Sequence, residues 1–191
     1  MRLLFFAGSM REGSFNKKLA ALARHIAEAN GIEAVQVDLK YYPMPLYNGD
    51  LEAKDGPPEK ARAFKALLGE YPGVFITSPE YNSSITPLLK NTLDWVTRVR
   101  AKDETGLEVY KTRVFAISGA SPGYYGAMRS LLHLRQILEI GLGASVIPQQ
   151  IAVPRAMDAF EGDGSLKDKA QQTLCKNVVE ALAVAARKFM S

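Results

Sequence analysis

Side chains that carry chemistry are scarce in this chain of 191 residues: there is one cysteine, Cys175, one tryptophan, Trp95, and two histidines, His25 and His133. A single thiol excludes an internal disulfide and suits a reducing compartment, so a cytoplasmic protein is expected. The histidines lie far apart, and neither has a Cys, His or carboxylate at ligand spacing. That argues against a metal site and assigns both to helix faces. A Ser-His-Asp set and a reactive cysteine pair are also lacking. No apolar run approaches the roughly 20 residues needed to span a bilayer. The N-terminal run is interrupted by Ser9 and Arg11 and carries no small-residue cleavage pattern, so no signal peptide is expected. The charge is mildly basic, net +4, since 24 Lys and Arg stand against 20 Asp and Glu. The densest basic group, Arg98, Arg100 and Lys102, is cut off by Asp103-Glu104 and reads as a solvated helix end. Nothing resembles a nucleic-acid motif, and there is no Walker A sequence or G-x-G-x-x-G after the first strand.

With 47% hydrophobic and 23% charged residues, the chain has the composition of one ordinary globular domain. Strand and helix patterns alternate along it. Strands are expected at Leu3–Ala7, Glu33–Asp38, Val74–Thr77, Val114–Ser118 and Ser145–Pro148. Helices are expected at Phe15–Asn30, Pro58–Glu70, Thr86–Arg98, Gly126–Leu142 and Lys167–Phe189. Ser165 and Asp168 have capping-box spacing ahead of the last. Lys40 to Pro58 reads as one long Pro- and Gly-containing loop, and the stretch before Val114 as a polar excursion. Such alternation implies a doubly wound α/β domain, a parallel sheet with right-handed crossovers and helices on both faces. Five strands with an anion-binding loop after the first suggest the flavodoxin-like order 2-1-3-4-5, with ligands at the carboxyl ends of the strands.

Three loops on that edge have unusual chemistry. The first, Gly8 to Asn16, runs from a strand into a helix N-terminus. It offers the Ser9 and Ser14 hydroxyls, the Arg11 guanidinium, the Asn16 amide and unpaired backbone N–H groups, the parts of a phosphate cradle. The helix opens with Asn16-Lys17-Lys18, although first turns favour Asp or Glu. A bound phosphate would supply the missing charge; an ordinary Ser14 cap with solvated lysines accounts for the same residues. The second loop, Ser78-Pro79-Glu80-Tyr81-Asn82-Ser83-Ser84, could set an aromatic ring and backbone N–H groups beside a planar ligand. It also reads as a polar loop with Ser84 or Thr86 capping the next helix. Trp95 sits about two turns from Leu88 and Leu89 and one from Val99, and belongs to the core. The third loop, Ser118 to Gly126, has three glycines, which permit close backbone approach or a tight turn.

Taken together, Gly8-Ser9-x-Arg11-x-x-Ser14-x-Asn16, Pro79-Glu80-Tyr81-Asn82-x-Ser84 and Leu89-Lys90-Asn91-x-x-Asp94-Trp95 resemble the NADPH-dependent FMN reductase family, which includes quinone, chromate and azo-dye reductases. Asp38-Leu39, Pro45-Leu46-Tyr47 with Asp50, and Ser121-Pro122-Gly123-x-x-Gly126-x-x-Arg129 extend the resemblance over most of the chain. It implies a flavodoxin-like fold with noncovalent FMN, NADPH or NADH as reductant, and a quinone or other small acceptor. By that analogy Ser9, Arg11, Ser14, Phe15 and Asn16 hold the phosphate. Pro79, Glu80, Tyr81 and Asn82 border the isoalloxazine, largely through backbone groups, and Ser118 lies by its other side. A homodimer or homotetramer is implied, with the loop around Tyr42 and Tyr47 and the helix carrying Trp95 as candidate contacts. The competing readings are a flavodoxin-type electron carrier, against which the basic charge and the Pro-Glu-Tyr-Asn loop count, and a flavin-binding regulator.

Overall fold

A computed structural model describes residues 1–101 and 103–190; Lys102, assigned above to the basic group, lies outside them. Five strands, β1 (Arg2–Ala7), β2 (Glu33–Asp38), β3 (Gly73–Thr77), β4 (Val114–Ala120) and β5 (Ser145–Val153), pair in parallel in the order β2-β1-β3-β4-β5. That is the expected flavodoxin-like order. The three central strands are apolar because both their faces are covered: β3 and β4 are buried throughout, and β1 from Leu3 onward.

Among the described residues, seven α-helices surround the sheet: α1 (Phe15–Ala29), α2 (Gly49–Asp55), α3 (Glu59–Gly69), α4 (Pro87–Arg98), α5 (Glu108–Lys111), α6 (Met128–Gln136) and α7 (Lys169–Met190). Leu3, Phe5 and Phe75 point to one face and pack with Leu19 and Ala23 of α1 and with Val178 and Leu182 of α7. Leu4, Phe6 and Ile76 point to the other and meet Phe64 of α3, Leu89 and Leu93 of α4 and Leu131 of α6. The switch of side at each successive strand residue follows from the pleat. Trp95 is fully buried, as expected.

Several boundaries differ from the sequence reading. The Lys40–Pro58 loop contains a single turn at Leu39–Tyr41 and then α2. No residue of α2 is buried, so it has no apolar stripe to read. It is held instead by the Asn48 cap and by Glu52, which accepts from the Tyr47 hydroxyl (2.9 Å) and Arg98 Nε (2.8 Å). The polar excursion contains α5, anchored by fully buried Tyr110, whose hydroxyl donates to Leu93 O (3.0 Å). Strand β5 continues past Pro148, because Phe115 pairs with Val146 and Ile117 with Gln150. The residues between are bulged out, which accommodates a proline with no ladder donor. α6 begins at Met128 and ends in a wider π-type turn at Ile137–Gly141. Ser165 does not cap α7. Asp168 does, accepting from Ala170 N (2.8 Å), while Ser165 turns to Asp163.

Candidate functional site

The three loops leave β1, β3 and β4 at the same edge of the sheet, and side chains clasp them together there. Gly8 N donates to Thr77 O (2.8 Å), and Gly8 O accepts from the Thr86 hydroxyl (2.7 Å). A Cβ at position 8 would stand 2.9 Å from Leu89 Cβ, so only glycine lets β1 pass this close to α4. Thr86 has two roles, since its oxygen also caps α4 by accepting from Leu89 N (3.2 Å).

Asn16 is the second clasp. Its Nδ2 donates to Ala120 O (2.8 Å) and its Oδ1 accepts from Ala120 N (3.0 Å), while Asn16 O receives the Thr77 hydroxyl (2.9 Å). The residue is 3% exposed. Its side chain, expected to face a phosphate, is spent on joining the first loop to the end of β4. Only its backbone N–H is left for a ligand.

Around it, Ser9 Oγ accepts from Arg11 N (3.3 Å) and Ser14 Oγ from Lys17 N (3.5 Å), so Ser14 is the α1 cap. Phe15 and Asn16 occupy the first helical positions, whose N–H groups have no intrahelical acceptor, and the first turn holds no acidic residue. The Arg11 guanidinium lies 5.3 Å from the centre of the Phe15 ring and is exposed, with no ion-pair partner among the described residues. Lys17 is only partly solvated; its Nζ pairs with Asp38 Oδ2 at 2.7 Å and donates to Met10 O (3.2 Å). Partial burial pushes the Asp38 carboxyl up. The hydrogen bonds from Lys17 and Lys40 N, with both lysine charges, outweigh it and hold the group below the usual carboxylate range.

In the second loop, Tyr81 N donates to Ser84 O (2.9 Å) and Ser84 N to Tyr81 O (3.0 Å). Asn82 and Ser83 between them both have positive φ, +49° and +68°, the geometry of a type I′ turn. Tyr81 is exposed at its tip. Glu80 points away from the tip. Its side chain, 6% exposed, accepts from Arg129 N (3.1 Å), Ser130 N (3.3 Å) and Arg129 Nε (2.8 Å), and also pairs with Arg129 Nη2. Glu80 therefore caps α6 from another loop, a role that nothing in its sequence neighbourhood signals. The one legible hint was the want of a cap at home, since Ala127 before α6 has no side chain to offer.

The third loop rises from β4 past Tyr124 and Tyr125, whose exposed rings meet edge to face at 5.5 Å. Gly126 has φ +59°, and a Cβ there would be 2.6 Å from Pro154 N, which pins this loop against the end of β5. Ser118 lies inside β4, paired in register with Thr77 and fully buried, its Oγ without a partner among the described residues. Its side chain has no exposed surface to offer a ligand. His133 stands on α6 as a surface residue, with Nδ1 3.0 Å from Ser84 Oγ.

Likeness to known proteins extends over the length of the chain. The sequence model for NADPH-dependent FMN reductases matches residues 1–158. The chain belongs to that family. It is 31% identical over 190 residues to an NAD(P)H-dependent FMN reductase of Pseudomonas aeruginosa, covering 99% of this chain and 97% of the relative. It is 33% identical over 187 residues to an NAD(P)H:quinone oxidoreductase of Solanum tuberosum, covering 95% and 91%. Among solved structures, the flavoenzyme NAD(P)H:(acceptor) oxidoreductase FerB from Paracoccus denitrificans superposes with a TM-score of 0.81 at 26% identity, over 98% of both chains. As an FMN reductase family member, the chain is an FMN-dependent oxidoreductase with NAD(P)H as co-substrate.

Proposed function

We propose that this chain holds FMN on the three clasped loops and spends NAD(P)H to reduce a quinone or another small acceptor, such as a flavin, chromate or an azo compound. The observation that carries the reading is the first loop: an α1 N-terminus without acid beside an Arg11 without a carboxylate. A phosphate dianion fits that end, because helix N–H groups and a guanidinium each favour negative charge. Phe15 N–H, Asn16 N–H, the Ser9 and Ser14 oxygens and Arg11 would hold it. Pro79, Glu80, Tyr81 and Asn82 would border the ring, with Glu80 acting through its backbone because its carboxylate caps α6. Ser118, buried at the root of the third loop, would lie by the other side of the ring.

FMN, when bound, supplies the redox chemistry, taking a hydride from the nicotinamide and passing two electrons to the acceptor. The chain supplies orientation and electrostatics. Its thiol stays out of the reaction, since burial pushes Cys175 up to about 12. The reading includes a cytoplasmic homodimer or homotetramer. Exposed Tyr41 and Leu46 on the Pro-rich segment support contact there. Trp95 itself is no contact candidate, being buried with its Nε1 donating to Pro45 O (2.7 Å). No helix among the described residues is long and apolar enough to cross a membrane.

The test is the visible spectrum of the purified protein before and after anaerobic NADPH or NADH, followed by turnover with a benzoquinone. Flavin bands that bleach and return on adding quinone are expected. Bands unmoved by either nucleotide would replace the enzyme with an electron carrier, and a colourless protein that takes up no FMN would remove the phosphate argument.

A further inference from the structure

The segment that follows β5 encloses a cleft of about 510 Å³, lined by Tyr124, Arg155, Asp158, Lys167 and Asp168 among others. It shares a wall with the third loop: Arg155 N donates to Gly123 O (3.2 Å) and Ala156 N to Ser121 O (3.0 Å). Three of its features are not used by the flavin site proposed above. Arg155 has φ +48°, a left-handed conformation that suits Gly, Asn or Asp and is unusual for a long side chain. Non-glycine residues held this way cluster at functional sites. The Arg155 and Lys167 side chains make no ion pair among the described residues. Tyr124, the aromatic in the lining, is 75% exposed. Two carboxylates also line the cleft. That of Asp168 is engaged by Ala170 N (2.8 Å) and Gln171 N (3.2 Å) in the first turn of α7, which leaves Asp158 as the one counter-charge.

An exposed aromatic ring beside two unpaired cations matches a purine that carries a phosphomonoester: the ring stacks, and the guanidinium and ammonium take the dianion. We propose that this cleft binds the 2′-phosphoadenosine end of NADPH, with Arg155 and Lys167 on the phosphate and Tyr124 against the adenine, and that it gives the enzyme a preference for NADPH over NADH. The inference rests on the reading of NAD(P)H as the reductant. It adds the residues that choose between the two nucleotides.

The experiment is calorimetric titration of the FMN-loaded protein with 2′,5′-ADP, 5′-AMP and inorganic phosphate, beside kcat/KM for NADPH and NADH. Variants Arg155→Asn, which tolerates the positive φ, and Lys167→Met are compared with the parent. Each should weaken 2′,5′-ADP about tenfold or more, the loss of one charge-assisted contact. Each should lower kcat/KM for NADPH by the same factor and leave NADH alone. Tyr124→Ala should weaken 2′,5′-ADP and 5′-AMP together. If inorganic phosphate binds as tightly as 2′,5′-ADP, the cleft is a plain anion site and the proposal fails. It fails equally if both cation variants bind 2′,5′-ADP like the parent. A parent protein bleached equally well by both nucleotides would overturn the cleft alone, whereas bleaching by neither would overturn the oxidoreductase reading beneath it.

Discussion

Residues 9–16 are stitched largely to themselves, with Ser9 bonded to Arg11 N and Ser14 to Lys17 N, whereas residues 79–84 take their placement from α6 through Glu80 and Arg129, 49 positions away. Gly8 and Asn16 tie the first loop to distant elements, and they do so at its two ends. The first loop can therefore keep its N–H groups and Arg11 turned outward whatever happens at α6. In the second, the base is a charged cap on another helix, and the Tyr81–Ser84 turn rides on it. A ligand on the first loop would be selected by charge. A ligand against the second would depend on how two elements pack.

The largest effect should come from breaking the first loop's base. Asn16→Ala leaves buried Ala120 N and O without partners, at about 1–3 kcal/mol for each orphaned group. About 3 kcal/mol of stability should be lost in urea unfolding, whereas Ser14→Ala, which removes only a local cap, should cost about 1 kcal/mol.

Arg11→Ala should sharpen the contrast by touching binding alone. FMN affinity should fall by about 1.5–3 kcal/mol with riboflavin affinity unchanged in fluorescence titrations, and stability should stay within about 0.5 kcal/mol. Equal loss of both flavins would remove the phosphate from Arg11.

Glu80→Gln should do the reverse. It weakens a charged cap, so about 1–2 kcal/mol of stability goes, and FMN and riboflavin should weaken together. A variant that discriminated between them would place the phosphate nearer the second loop.

Smallest is Asp38, whose carboxyl is held below its ordinary 3.8. Such a group adds stability that is present in full above 3.8 and fades as pH falls through the lowered value. Asp38→Asn should cost below about 1 kcal/mol at neutral pH, because the Lys17 pair is partly solvated. The difference from the parent should shrink in unfolding curves as pH is taken progressively below 3.8. A gap that widened in acid would reverse the sign of this account.

The sequence by itself determined the alternation of strands and helices and the strand order, and it offered Ser14, and Thr86 beside Ser84, as caps, because each depends on side chains within a turn of one another or on an apolar face to be covered. It also marked the three loops, which the fold brings to one edge. Tertiary structure alone decided how those loops are used. The Asn16 amide joins Ala120 across 104 positions, and the Glu80 carboxylate finds the start of α6. α2 stands on Tyr47, Glu52 and Arg98 with no buried face of its own, and β5 runs on past Pro148 because β4 accepts a bulge. In each case the partner is distant in the chain, and a polar side chain's local surroundings do not say which backbone group, once desolvated, will need it.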